Sequence, residues 1–201
     1  VDHARRFDLM QQHTGQHILS QAFIHTANAE TISFHLNPDP NEGALTIDLN
    51  TAAVTAQEID RAEEFANTIV YENRPVIARF VNDEDLPALP LRKPPKVDRT
   101  IRIVEIQGFD WSACGGTHVA RTGEVGLIKI VKLEKRGAET RVEFRCGHRA
   151  LIDYRRKHQL ISQVASDLTI GFWELDQAIG RMQAEAKAAR KQLVEAEARL
   201  Q

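Results

Sequence analysis

The sequence is poor in the residues that would support a small, cross-linked fold. Its 201 residues contain only two cysteines, Cys114 and Cys146. A chain of this length can bury a core without disulfide bonds. In a reducing compartment, two isolated cysteines are more often free thiols or metal ligands than the two halves of a disulfide bond. We therefore expect a cytoplasmic protein whose fold depends on packing.

Long apolar runs and a strong excess of charge are also absent. No run approaches the roughly 20 apolar residues that cross a bilayer, and the first residues lack the apolar core of a secretory signal, so no membrane contact is predicted. The formal net charge of −2 gives no overall attraction to nucleic acid. A polyanion would have to be held by local basic patches. The chain begins without methionine and stops inside a helical pattern, which suggests a segment of a longer protein.

Hydrophobic periodicity predicts an α+β domain over residues 1–148. One helix is predicted over about residues 7–26, and a second begins at a capping box formed by Thr55 and Glu58. Alternating patterns predict strands in ETISFHL, ALTIDL, RPVIARFV, TIRIVEI and, as a pair, GLIKIVKLEKRGAETRVEFRC. The proline-rich stretch DLPALPLRKPPKVD predicts an irregular connection. We expect a mixed or antiparallel sheet with packed helices.

Residues 149–201 have a helical pattern. From Leu175 to Leu200, apolar residues recur at alternating steps of four and three, which is typical of a coiled coil. The stretch SDLTIGFWEL separates this helix from an earlier one over about residues 149–165, so the two could form a helical hairpin. The alternative is a homodimer through the helical tail, because a heptad pattern fixes neither the partner nor the order.

Two short motifs contain residues that bind metals. HTGQH places His13 and His17 one turn apart on the same helix face. CGGTH places Cys114 and His118 on either side of two glycines that allow a tight bend. Thiolate and imidazole ligands in this number are those that zinc prefers, so we predict one Zn²⁺ site shared by the two motifs. Peptide hydrolysis of the HExxH type is disfavoured, because Thr14 stands where that motif has glutamate.

The order of the motifs resembles a known family. The segments RRFDLMQQHTGQHILSQAF, TISFHL, TIDL, CGGTHVARTGEVGLIKI and RVEFRCGHRAL are similar to the editing domain of alanyl-tRNA synthetase and, more closely, to the free-standing alanyl-tRNA editing proteins of the AlaX family. The resemblance implies hydrolysis of mischarged seryl-tRNA(Ala), with glycyl-tRNA(Ala) as a further substrate. It also implies a zinc ion on His13, His17, Cys114 and His118, and the acceptor end of tRNA(Ala) as partner.

Two alternatives remain at this point. The editing domain of threonyl-tRNA synthetase uses similar ligands, so seryl-tRNA(Thr) is another candidate substrate, although TGEVGLIKI favours the alanine type. Four protein ligands are also typical of a structural zinc, which would suit a non-catalytic module that binds RNA or protein.

Ester hydrolysis requires fixed donors to the developing oxyanion. The backbone N–H groups of Gly115 and Gly116 are the candidate catalytic donors, although tight packing of the loop explains these glycines equally well.

Selection of serine over alanine requires a polar pocket. By the period of two, Thr31 and Ser33 lie on one face of the strand that follows the ligand helix, and they are candidate substrate-binding residues. Ser33 is the preferred candidate, Gln16 is a third, and a solvent-facing position is the alternative for the strand residues.

Two basic stretches, LRKPPKVDRTIR and RCGHRALIDYRRKH, are candidate contacts for tRNA phosphates. Such runs are often only solvated faces. The predicted tRNA-binding residues are Arg92, Lys93, Lys96, Arg99, Arg155 and Arg156.

Overall fold

The computed structural model describes residues 2–37, 39, 45–93 and 101–199. The chain divides into two compact units, residues 1–152 and 153–201. Along the described ranges, the α-helices are α1 (His3–Ala27), α2 (Ala56–Tyr71), α3 (Gly147–Asp167) and α4 (Leu175–Arg199). Short 3₁₀ helices cover Asp83–Ala88, Thr122–Val125 and Phe172–Glu174.

The strands form two antiparallel sheets. They are β1 (Thr31–His35), β2 (Leu45–Leu49), β3 (Val76–Val81), β4 (Ile101–Ile106), β5 (Asp110–Ala113), β6 (Ile128–Arg136) and β7 (Glu139–Cys146). The larger sheet has the order β1-β2-β7-β6, and the smaller one has the order β3-β4-β5. The α+β prediction is confirmed. The division into two sheets was not predicted, because strand patterns do not tell which strands pair.

The ends of the first two helices follow from their capping residues. The side chain of Asp2 accepts a hydrogen bond from the backbone N–H of Arg5, so α1 begins four residues before the predicted start. It ends at Asn28, which adopts a left-handed conformation with φ of 49°. The predicted capping box of Thr55 and Glu58 is present at the start of α2. The two caps thus define the first and last residues of α1.

The core holds the second half of α1 against the larger sheet. Ile18 and Phe23 are fully buried together with side chains of α2, β2, β6 and β7. Between the two histidines of α1, Gly15 packs on the end of β7: a Cβ at this position would lie 2.3 Å from Cys146 Sγ. A larger residue would therefore push the histidines away from the sheet.

The two C-terminal helices do not pack side by side along their lengths within the described residues. Ala165 and Ala178 are buried. In contrast, Ile179, Met182 and Leu193 on the predicted heptad stripe are about half exposed. The helical hairpin is therefore not observed, and a dimeric partner for the stripe stays a prediction. None of the described helices has the length and apolar character that a membrane span requires.

A chain that ends at Leu168 is expected to keep the fold of the first unit, because its buried apolar core lies between Ile18 and Cys146. The thermal unfolding midpoint and the metal content should match those of the full chain. Loss of the cooperative transition, followed by circular dichroism, would show that the second unit supports the first.

Candidate metal centre

The two predicted motifs meet in the structure. His13 and His17 lie on α1, Cys114 follows β5, and His118 lies in the loop after it. One ligand atom from each of the four lies within 4.8 Å of the other three. Cys114 Sγ is 3.4 Å from His13 Nε2 and 3.3 Å from His118 Nε2. Thiolate and imidazole groups at these separations could hold one metal ion between them.

The protonation states of this cluster suit metal ligands. Burial alone would raise the pKa of the Cys114 thiol, but its hydrogen bonds with His118, His13 and His17 lower the pKa to about 3. Burial lowers the pKa of His118 to about 4, against the opposing effect of Cys114. The cluster thus contains a thiolate and a neutral imidazole near pH 7, which are the forms in which these residues bind a metal.

Asp110 orients His17. Its carboxylate is fully buried, and Oδ2 accepts a hydrogen bond of 3.0 Å from His17 Nδ1. Burial lowers the pKa of His17, but the hydrogen bonds to Asp110 and Cys114, together with the charge of Asp110, outweigh burial and raise that pKa. Ser112 Oγ also donates to Asp110, at 3.0 Å. Because Nδ1 is engaged by Asp110, His17 presents Nε2 to the cluster, as metal-binding histidines with a carboxylate partner do.

Thr14 contacts His118 Nδ1 as Asp110 contacts His17 Nδ1. Its Oγ1 lies 3.1 Å from His118 Nδ1 and accepts a hydrogen bond of 3.2 Å from the backbone N–H of Val119. Thr14, which occupies the glutamate position of the HExxH motif, therefore positions His118.

Gly116 is required for the close approach of the loop to α1. A Cβ at this position would lie 2.2 Å from His13 Cε1. The backbone N–H of Gly116 donates to Cys114 Sγ at 3.4 Å, so it is not free for an oxyanion. At Gly115 an added Cβ would meet no atom within 4 Å. The prediction that both glycines donate to an oxyanion is therefore corrected for Gly116, whose N–H binds the sulfur.

Arg102 holds the same loop from outside. Its guanidinium group donates to the carbonyl oxygens of Cys114, at 2.8 Å, and Gly116, at 2.7 Å. The sequence analysis placed Arg102 only in the basic stretch LRKPPKVDRTIR, because a strand arginine gives no sign of its partners.

A cleft of about 440 Å³ adjoins the cluster. Its lining includes three of the four ligands, both glycines and every residue predicted to bind the substrate. The lining residues are His13, Gln16, His17, Thr31, Ile32, Ser33, Phe34, Arg92, Lys93, Ser112, Ala113, Cys114, Gly115 and Gly116.

The prediction that Thr31 and Ser33 share one strand face is wrong. The register shifts between them, so that Thr31 pairs with Leu49 and Ser33 pairs with Asp48. Since Leu49 and Asp48 are consecutive residues of β2, their partners lie on opposite faces of the sheet. An extra residue in one strand is not visible in an alternating sequence pattern.

The hydroxyl of Ser33 is engaged by a carboxylate of the neighbouring strand. It donates to Asp48 Oδ2 at 2.5 Å, and the same carboxylate binds Arg141 at 2.6 Å and 2.8 Å. The hydrogen bond with Arg141 lowers the pKa of Asp48 to about 2. Thr31 faces α1, where its hydroxyl is likewise engaged, by Ser20 at 2.8 Å, so the preference for Ser33 as the substrate-binding residue stays a prediction.

The predicted tRNA contacts differ in their surroundings. Arg92 donates to the carbonyl oxygen of His17 at 3.2 Å and lies 3.6 Å from Asp110, while Lys93 donates to the carbonyl oxygen of Thr31. The protein thus engages both charged groups, and their contact with tRNA phosphates stays a prediction. Lys96 and Arg99 lie outside the described residues. Arg155 and Arg156 are exposed on α3, in the second unit.

Gly116→Ala is expected to weaken metal binding by about 10-fold or more, because the added methyl group displaces the His13 imidazole. Gly115→Ala is the matched control and should keep the parental affinity, since its methyl group meets open space. Competition with a chromophoric chelator measures both. Equal affinities in the two variants would contradict the role given to Gly116.

Asp110→Asn is expected to lower metal affinity by about 10- to 100-fold, because the neutral amide supports His17 less well than the carboxylate does. Asp48→Asn provides the control, as Asp48 is also buried but binds Arg141 outside the cluster. Calorimetric titration with Zn²⁺ compares them. A similar loss in both variants would indicate general destabilisation instead.

Comparison with known proteins identifies the relatives of this chain. The family described as "Threonyl and Alanyl tRNA synthetase second additional domain" matches residues 101–142, which contain Cys114 and His118. The alanyl-tRNA editing protein AlaX-L of Pyrococcus horikoshii is 39% identical over 155 residues, covering 75% of this chain and 37% of that protein.

Two further relatives match almost the whole chain. The alanyl-tRNA editing protein Aarsd1-B of Xenopus laevis is 31% identical over 195 residues, which is 95% of this chain and 46% of that protein. The alanine–tRNA ligase of Korarchaeum cryptofilum is 34% identical over 200 residues, which is 96% of this chain and 22% of the ligase. The chain thus spans less than half the length of these relatives. By sequence it is similar to the alanyl-tRNA editing proteins and to the corresponding region of alanine–tRNA ligases.

Proposed function

We propose that this chain hydrolyses the ester bond of mischarged seryl-tRNA(Ala), with Zn²⁺ held by His13, His17, Cys114 and His118. The observation that carries the proposal is that the cluster of four ligands opens on a cleft of about 440 Å³ with polar and apolar walls. A structural zinc site needs no such cleft. The relatives named as alanyl-tRNA editing proteins support the same reaction.

The cleft suits the end of an aminoacyl-tRNA. Ile32 and Phe34 are each about half exposed on one wall, and the Phe34 ring centroid lies 6.1 Å from that of His13. Aromatic side chains stack on nucleic-acid bases, so Phe34 can receive the terminal adenine beside the cluster. Gln16 and Thr31 line the same cleft and can meet the amino-acid side chain.

The chain's own residues provide the remaining requirements of ester hydrolysis. A bound zinc ion would supply positive charge beside the ester carbonyl. The backbone N–H of Gly115 lies at the cleft without a sulfur contact of the kind that engages Gly116, and in this proposal it donates to the oxyanion. Asp110 and Thr14 hold His17 and His118 in fixed orientations, so that little reorganisation is needed during the reaction.

The competing function is a non-catalytic module with a structural zinc. Four Cys and His ligands favour it, because they complete a tetrahedral shell. Chelation separates the two functions: a structural site should lose the fold together with the metal, whereas an editing site should lose hydrolysis while its separate apolar core stays folded. Seryl-tRNA(Thr), tested beside seryl-tRNA(Ala), decides between the two possible tRNA partners.

Cys114→Ala is expected to remove most of the zinc and to slow seryl-tRNA(Ala) hydrolysis by more than about 100-fold, since it deletes the thiolate ligand. Atomic absorption and release of labelled serine measure the two effects. Cys146→Ala is the control, because the Cys146 side chain is buried against Gly15 instead. Full zinc content in Cys114→Ala would overturn the ligand assignment. Full hydrolysis without zinc would overturn the role of the metal.

A further inference from the structure

A second cavity, of about 320 Å³, adjoins the loop that carries Cys114 and His118. Its lining residues are Asp2, Arg5, Arg6, Leu9 and Thr117. Thr117 directly precedes His118, and Leu9 lies about one turn before His13 on α1. The cavity therefore neighbours the metal cluster without including any of its four residues.

The start of α1 and the ligand histidines lie along one side of the helix. Arg6 stands two turns before His13, so the two residues project in similar directions and are about 11 Å apart along the helix axis. Stacked nucleotides advance by about 3.4 Å each along a strand. A nucleic-acid strand can therefore reach from the cleft beside His13 to the second cavity within a few nucleotides.

Two positive charges in this cavity have no acidic partner. Arg5 and Arg6 are exposed, and neither guanidinium group forms an ion pair in the described part of the chain. Asp2 lines the same cavity, but one of its carboxylate oxygens accepts the backbone N–H of Arg5. Asp8, in the next turn, is bound by Arg149. The two cations are thus available to an anion from outside.

Both arginines stand where a helix disfavours positive charge. They are the third and fourth residues of α1, close to the positive end of its dipole. Acidic residues would stabilise this turn, and the first turn of α1 contains none. The two cations therefore do not serve the stability of the helix. A phosphate group would be attracted both by the arginines and by the helix dipole.

We propose that Arg5, Arg6 and Thr117 bind phosphate groups of the RNA strand that ends in the ester. This inference rests on the proposed function and adds to it the direction in which the strand leaves the cleft. With the terminal adenine beside Phe34, the preceding phosphates lie along the first turns of α1. The arginines neutralise them, and the exposed Thr117 hydroxyl, which has no partner among the described residues, donates to a phosphate oxygen.

The test measures the binding of two RNA hairpins to the full zinc-loaded chain by fluorescence anisotropy. One hairpin has the acceptor stem of tRNA(Ala) with its single-stranded 3′ end, and the other lacks the single-stranded end. Arg5→Gln and Arg6→Gln should each weaken binding of the first hairpin about 4-fold near physiological salt. Each should also reduce the slope of log Kd against log salt concentration by about 0.7. Neither should change binding of the second hairpin.

Thr117→Val tests the uncharged member of the site. It removes a hydroxyl donor at similar volume, so it should weaken binding of the first hairpin by about 5-fold and leave the salt slope unchanged. Zinc content, measured by atomic absorption, should stay parental.

Arg61→Gln is the matched control for the two arginine variants. Arg61 is also exposed on a helix, but it lines neither cavity, and its substitution should leave both hairpin affinities unchanged. The thermal unfolding midpoint of Arg5→Gln should equal or exceed the parental value, because the variant removes a cation from the start of α1. A lower midpoint together with weaker binding of both hairpins would show a structural role instead and overturn the inference.

Hydrolysis separates this inference from the proposed function. The 3′-seryl ester of adenosine has no phosphate, so the two arginine variants should raise KM for seryl-tRNA(Ala) about 4-fold without slowing hydrolysis of the adenosine ester. If the parental chain hydrolyses neither ester, the proposed function fails, and the hairpin measurements still decide the phosphate site. Parental affinity and salt slope in both arginine variants, or the same loss in Arg61→Gln, would overturn the inference.

Discussion

The buried hydrogen bond between His17 and Asp110 is the interaction on which the rest of the site depends. It joins helix α1 to strand β5, although the two residues are 93 positions apart in the chain. A buried carboxylate is costly unless it is paired, and here it is paired with His17, Ser112 and Arg92. This pairing brings the histidine pair of α1 opposite the loop that carries Cys114. The pairing also fixes the orientation of the His17 ring toward the other three residues of the cluster.

Close packing of α1 and of the loop that carries Cys114 also fixes the positions of the four cluster residues. Gly15 allows α1 to rest on Cys146, and Gly116 allows the loop to touch the His13 ring. Arg102 binds the loop carbonyls, and Arg92 binds the carbonyl of His17. Arg102 and Arg92 lie in a basic stretch that the sequence suggests as an RNA contact. In the structure they bind backbone carbonyl groups beside the cleft. The proposed chemistry uses the side chains that these contacts hold in place.

Some features were accessible from residue patterns and others were not. The capping box of α2, the long ligand helix and the strand pair β6 and β7 follow from local preferences, so sequence analysis found them. The opposite faces of Thr31 and Ser33 depend on a register shift, which is a property of strand pairing. Asp110 gave one weak signal, an acidic residue shortly before the cysteine of CGGTH. Thr14 gave none, because its partners His118 and Val119 lie on a distant segment.

The sequence by itself determined the α+β class, the four residues of the candidate metal cluster and the similarity to alanyl-tRNA editing proteins, since helix periodicity, residue type and motif order are all local properties of the chain. Only the tertiary structure decided how those ligands are held and which polar atoms remain for a substrate. It engaged the hydroxyl of Ser33 with Asp48 and engaged the N–H of Gly116 with Cys114. The physical reason is that a polar group is available to a substrate only if no other group of the protein already binds it. Folding decides which groups come together, so the sequence alone does not show which polar groups are available.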